Sequence, residues 1–121
     1  VKKTFCELHA HSAFSFLLGA SQPESMVQRA AEIGCEAIAI TDVAGFYGSA
    51  RAHHAAQRCG IRALVGSTIT LADQTRIPVL CASREGYRLL SRHLTDFHLM
   101  PDAAHEFLPL EGHLIALTGD R

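Results

Sequence analysis

Short apolar runs alternate along this chain with longer stretches whose apolar residues recur at helical spacing. Thr4–Leu8 predicts a strand that runs into His9-Ala10-His11. Ser21-Gln22-Pro23-Glu24 has the form of a capping box, with Ser21 as N-cap and Glu24 three positions on. Met26, Val27, Ala30 and Ala31 follow at helical spacing, and Gly34 ends that helix. Glu36–Thr41 is a short, mainly apolar run between turn signals, the pattern of a strand buried inside a parallel sheet. Asp42 closes it. A loop carrying Gly45 and Gly48 leads to an alanine-rich helix over Ser49–Cys59, stopped by Gly60. Arg62–Val65 predicts a third strand, which Thr68–Leu71 extends or restarts. Asp73-Gln74 reads as a turn and Arg76–Cys81 as a strand, with Pro78 placing it at an edge or a bulge. Ser83 can cap a third helix with Tyr87, Leu90, Leu94 and Phe97 along one face. His98–Pro109 has no period and reads as a loop, and Leu114–Leu117 reads as a last strand.

Strands alternating with helices in this order imply an α/β fold with mainly parallel strands. Right-handed crossovers then bring the strand C-termini to one rim. His9, His11 and Asp42 all fall at that rim, which is where both barrels and open sheets build their sites.

Composition narrows the picture only a little. The 121 residues suit one modest domain, and 48% of them are hydrophobic, enough for a buried core. A formal net charge of −1 gives no electrostatic case for binding nucleic acid directly. Cys6, Cys35, Cys59 and Cys81 stand far apart, with no C-x-x-C pair, which argues against a zinc knuckle or a dithiol redox motif. No signal peptide or long apolar span is present, so a cytoplasmic protein with reduced thiols and no membrane contact is expected.

Candidate chemistry centres on the histidines. His9 and His11 are two positions apart on a strand, so both side chains share one face and can meet one divalent ion such as zinc or manganese. A carboxylate from a neighbouring strand, Asp42, would help complete the shell. H-x-H alone is a weak signal. His53 and His54 are sequential on a helix and read as surface or packing residues, while His93, His98, His105 and His113 lack a partner at ligand spacing. Glu7 reads as a strand-end residue paired with a cation. Ser12 and Ser15 lack a nucleophile elbow, Gly45 and Gly48 do not form a phosphate loop, and Phe14 and Phe16 read as packing at the rim.

Longer motifs carry more information. Glu7-Leu8-His9-Ala10-His11-Ser12, Ala37-Ile38-Ala39-Ile40-Thr41-Asp42 and Val65-Gly66-Ser67 together resemble the first three motifs of the PHP superfamily. Phe14-Ser15-Phe16-Leu17-Leu18-Gly19-Ala20-Ser21 and Ile61-Arg62-Ala63-Leu64-Val65-Gly66 are similar to the PHP domain of bacterial DNA polymerase III alpha subunits, closest to the error-prone branch. Gly86-Tyr87 and Gly112-His113-Leu114-Ile115-Ala116-Leu117-Thr118-Gly119 extend the resemblance over nearly the whole chain. It implies a distorted, TIM-like β/α barrel of about seven strands, of which residues 1–121 form the N-terminal part as a single domain. It also implies a multinuclear metal centre at the strand C-termini that hydrolyses phosphoesters, and in some polymerases trims mismatched 3′ ends.

The chain departs from that pattern. The family's Thr-Asp-His motif is here Thr41-Asp42-Val43, and Thr68 stands where the family has a metal-bridging glutamate. The resemblance thus leaves His9, His11 and Asp42 as metal ligands, a set that holds one zinc or manganese ion weakly or none. The implied function is a structural segment of an error-prone polymerase alpha subunit acting in DNA replication and repair, with a phosphoesterase or 3′–5′ exonuclease on a reduced metal site as the alternative. A barrel interrupted here is open, so its strand edges and helix faces need covering. The expected partners are the remainder of a polymerase chain, through which DNA would be met, or further copies of this chain if it is stable alone.

Overall fold

The computed structural model describes residues 5–15, 18–100 and 112–118. The elements follow in the order β1 (Cys6–Ala10), α1 (Pro23–Glu32), β2 (Ala37–Ile40), α2 (Ser49–Cys59), β3 (Arg62–Thr70), β4 (Arg76–Cys81), α3 (Arg84–Leu99) and β5 (Leu114–Ala116). The five strands form one sheet in sequence order. β1, β2 and β3 pair in parallel, whereas β3 with β4 and β4 with β5 pair antiparallel. The sheet is therefore mixed, not mainly parallel. The physical reason lies in the connection after β3. A parallel return needs a crossover of a dozen or more residues, and only a tight turn is present. In that turn Leu71 N donates to Thr75 O (2.8 Å), Gln74 adopts φ 69°, and the Asp73 carboxylate accepts from Thr75 N (2.9 Å). These hydrogen bonds hold the Asp73 carboxyl below its ordinary range.

β3 is one continuous strand whose two halves serve different partners. Arg62–Val65 pair with β2, and Gly66–Thr70 pair with β4. Gly66 sits at the change of partner, where a Cβ would lie 2.5 Å from Val79 O. Pro78 is neither at a sheet edge nor in a bulge, since β4 lies between β3 and β5 in regular register. Its carbonyl accepts from Leu117 N (2.9 Å), just beyond the last residue of β5, so its missing donor falls where that ladder stops.

Two apolar clusters hold the helices to the sheet. Val27, Ala30, Ala52, Ala55 and Ala56 from α1 and α2 pack with Cys35, Ile38 and Ile40. Leu90 and Leu94 of α3 pack with Ile69, Val79 and Leu114. All four residues of β2 are buried, as a strand covered on both faces must be. The small alanines of α2 let it approach α1 closely, so this half of the core is built from backbone proximity more than side-chain bulk.

Helix ends follow local chemistry, with one correction. Ser83 caps α3 as expected, accepting from Gly86 N (3.1 Å). Gly60 ends α2 in the left-handed region at φ 74°. Ser21, however, is not the N-cap of α1. That position is Gln22, without a side-chain cap, and Pro23 opens the helix because its fixed φ already suits the first helical residue. Glu24 therefore sits too early to close a capping box and pairs instead with Arg51 of α2, whose hydrogen bond holds its carboxyl below the usual range. α3 also runs on through His98 and Leu99, past the predicted loop start. The remainder of that expected loop, and His105 and Phe16 with it, lies outside the described residues, apart from Met100.

Candidate functional site

The parallel strands β1 and β2 carry His9, His11 and Asp42 to one rim of the sheet. β1 reaches it through an irregularity. Glu7 pairs with Ile38 but Ala10 with Ile40, so β1 carries one more residue than β2 across this step. Glu7 folds back and accepts from His9 N (3.1 Å), and among the described residues no cation pairs with it. The His9 and His11 rings meet edge to face with centroids 4.9 Å apart, as their spacing predicts. Neighbouring hydroxyls define the rest. His11 Nε2 lies 3.3 Å from Thr68 Oγ1, and Thr68 Oγ1 donates to Thr41 O (2.8 Å).

Asp42 is 1% exposed. Its Oδ1 accepts from Ser12 N and from Ser15 Oγ, and its Oδ2 from Ser12 Oγ, all at 2.7 Å. The same serines accept backbone donors, Phe14 N on Ser12 Oγ (3.2 Å) and Val43 N on Ser15 Oγ (3.1 Å). Beyond Asp42 the β2–β3 pairing continues as a single parallel bridge between Val43 and Thr68, with Thr68 N donating to Asp42 O (3.0 Å) and Ala44 N to Thr68 O (2.9 Å). Ser67 Oγ joins Gly45 N to Asp42 O. The chain turns sharply here, with Ala44 at φ 55°. His98 Nε2 lies 2.6 Å from Ala44 O, tying the end of α3 to this loop.

Ser12 and Ser15 are the residues of this site that sequence reasoning set aside. The sequence shows no nucleophile elbow around them, and their role as hydrogen-bond donors to the Asp42 carboxylate has no local signature. Of the other candidates, His53 and His54 lie exposed on α2, and His113 Nδ1 lies 2.9 Å from the capping hydroxyl of Ser83. Phe14 packs at the rim with the Arg51 guanidinium 5.5 Å above its ring.

Among the described residues, no group of three or more histidine, cysteine, aspartate or glutamate side chains is disposed to hold a metal ion. Val43 offers no donor atom, the Thr68 hydroxyl proton is spent on Thr41 O, and the Asp42 oxygens are engaged by serines. These residues do not fit a multinuclear metal centre, which needs several carboxylate or imidazole donors left open to the ions.

The PHP domain model matches residues 7–121. The chain belongs to the PHP domain family. Among curated relatives, the error-prone DNA polymerase of Cutibacterium acnes is 38% identical over 97% of this chain and 12% of its own length. That of Mycolicibacterium paratuberculosis is 44% identical over 78% of this chain and 10% of its own length. This PHP chain thus spans about a tenth of the length of the relatives it matches. A Bifidobacterium adolescentis protein described as a metal-dependent phosphoesterase superposes with TM-score 0.65 at 22% identity, covering 81% of this chain and 34% of the other. An amidohydrolase from Chromobacterium violaceum, solved with bound sulfate and no metal, gives TM-score 0.63 at 26% identity over 79% of this chain and 34% of the other. The fold of this chain therefore recurs within about a third of two longer chains. Among the described residues, no helix is long and apolar enough to cross a membrane.

Proposed function

We propose that this PHP chain is the N-terminal segment of a longer domain in an error-prone polymerase alpha subunit, and that it serves there as scaffold and not as a hydrolase. The observation that carries this reading is Asp42, buried and hydrogen-bonded by Ser12 and Ser15, beside Val43 and Thr68. The similarity to error-prone DNA polymerases over most of the chain supports the parent assignment. Contact with DNA, replication or repair synthesis and a cytoplasmic setting would come through that parent chain, whose nucleotidyl-transfer carboxylates lie elsewhere.

A single zinc or manganese ion is the remaining metal reading. Of the expected ligands His9, His11 and Asp42, the two imidazoles are neighbours at the rim, and the name of the Bifidobacterium structure favours a metal-dependent phosphoesterase. In that reading the bound ion would supply Lewis acidity and an activated water.

The test is metal content after purification, joined to hydrolysis of a generic phosphoester with manganese or zinc. The scaffold reading expects the same background rate for the wild-type chain and for His9→Ala and His11→Ala. Turnover that disappears in both variants would establish the hydrolase instead.

A further inference from the structure

The resemblance makes Asp42 a metal ligand, but its surroundings are those of an internal tie. Ser12 and Ser15 are 0% and 2% exposed, so neither hydroxyl can turn to solvent for a partner. Each hydroxyl has one proton and accepts a backbone N–H, from Phe14 or Val43, so that proton is committed to the carboxylate. With Ser12 N added, three donors fill three of the roughly four acceptor positions a carboxylate offers. Gly48 crowds Oδ2 as well: a methyl group there would sit 2.9 Å from it. An ion at about 2.0–2.2 Å from oxygen also needs further ligands around it, and the described residues place none in such a group.

We propose that Asp42 is a metal-independent anchor: through Ser12 and Ser15 it locks the loop after β1 to the end of β2. The lock fixes the backbone at Ser12, immediately after His11, so Asp42 acts on the rim through the chain and not through an ion. The anchor rests on the same Asp42 geometry as the scaffold reading, but the two fail by different readouts: melting temperature and metal content decide the anchor, phosphoester turnover the scaffold.

Thermal melts of the 121-residue chain, with EDTA or with zinc or manganese added, test it beside metal content by mass spectrometry. Asp42→Asn turns an acceptor oxygen into an NH2 donor facing a donor, and the melting temperature should fall by about 5 °C or more. Ser15→Ala should also lower it, and the loss in the double variant should be smaller than the sum, because both weaken one shared hydrogen-bond network. Bound zinc or manganese should be the same in Asp42→Asn as in wild type, including none in both. The anchor is overturned if Asp42→Asn keeps the wild-type melting temperature, or if EDTA alone brings wild type down to the variant. It is equally overturned if Asp42→Asn loses metal that wild type holds. Where Asp42→Asn does not fold, Ser15→Ala decides: an unchanged melting temperature, or a loss of metal, refutes the lock.

Discussion

Replacing Gly48 by alanine sets two physical terms against each other at the site. Gly48 is the N-cap of α2, with φ −94° and ψ −7°, a backbone conformation alanine adopts freely. On backbone grounds alone, Gly48→Ala should stabilise by about 0.4–1 kcal/mol, because the unfolded chain loses freedom. Space argues the other way. The new methyl would lie 2.9 Å from Asp42 Oδ2, 3.1 Å from Pro23 Cγ and 3.2 Å from Ser12 Oγ, where ordinary contacts begin at 3.4 Å. The carboxylate cannot retreat without stretching hydrogen bonds of 2.7 Å, and overpacking of this kind costs about 1–3 kcal/mol. The steric term wins, for a net loss of about 1–2 kcal/mol. At about 4 °C per kcal/mol for a domain of this size, the melting temperature falls by about 4–8 °C. Far-UV circular dichroism melts and urea titrations with an unchanged slope would show it. Gly60 supplies the control. It sits at φ 74° with nothing within 4 Å of a Cβ, so Gly60→Ala is strained by backbone alone and Gly60→Asn is milder. At Gly48 the order reverses, with the larger asparagine worse than alanine. A Gly48→Ala chain as stable as wild type, or more so, would refute the tight packing around Asp42.

Other outcomes follow from different parts of the fold. Leu90 is fully buried between α3 and the sheet, so Leu90→Ala should lose about 2–5 kcal/mol, read as a lower urea midpoint. Burial pushes the Cys81 thiol up from 9.0 to about 11, so at pH 8 it should react with iodoacetamide more slowly than exposed Cys6 and Cys59. The same shift has a stability sign: the folded state holds that proton more tightly, so the contribution is complete below pH 9 and lost as pH rises from 9 to about 11. Along β1 and α1, Phe5, Met26, Ile33 and Ile38 line an apolar groove of about 320 Å³, with Phe5 62% and Ile33 60% exposed. If the chain is stable alone, light scattering at micromolar concentration should show self-association, which Ile33→Glu should weaken; a monodisperse monomer would count against it.

The sequence by itself determined the local elements. Apolar periodicity, Ser83 and Gly60 place most helices and strands within a residue or two, because a side chain's burial follows the geometry of its own backbone. It also suggested that His9 and His11 are neighbours, and their rings do lie 4.9 Å apart although His11 stands just past the end of β1; the family motifs followed from residue order. Only the tertiary structure decided the rest. The direction of β4 turned on a hairpin that periodicity cannot distinguish from a crossover, and the Gly66 switch of partners depends on Val79 thirteen positions away. The state of Asp42 depends on two serines about thirty positions earlier in the chain. A ligand list read from sequence counts donor atoms, but whether a carboxylate is open to an ion depends on which donors the fold has already brought against it.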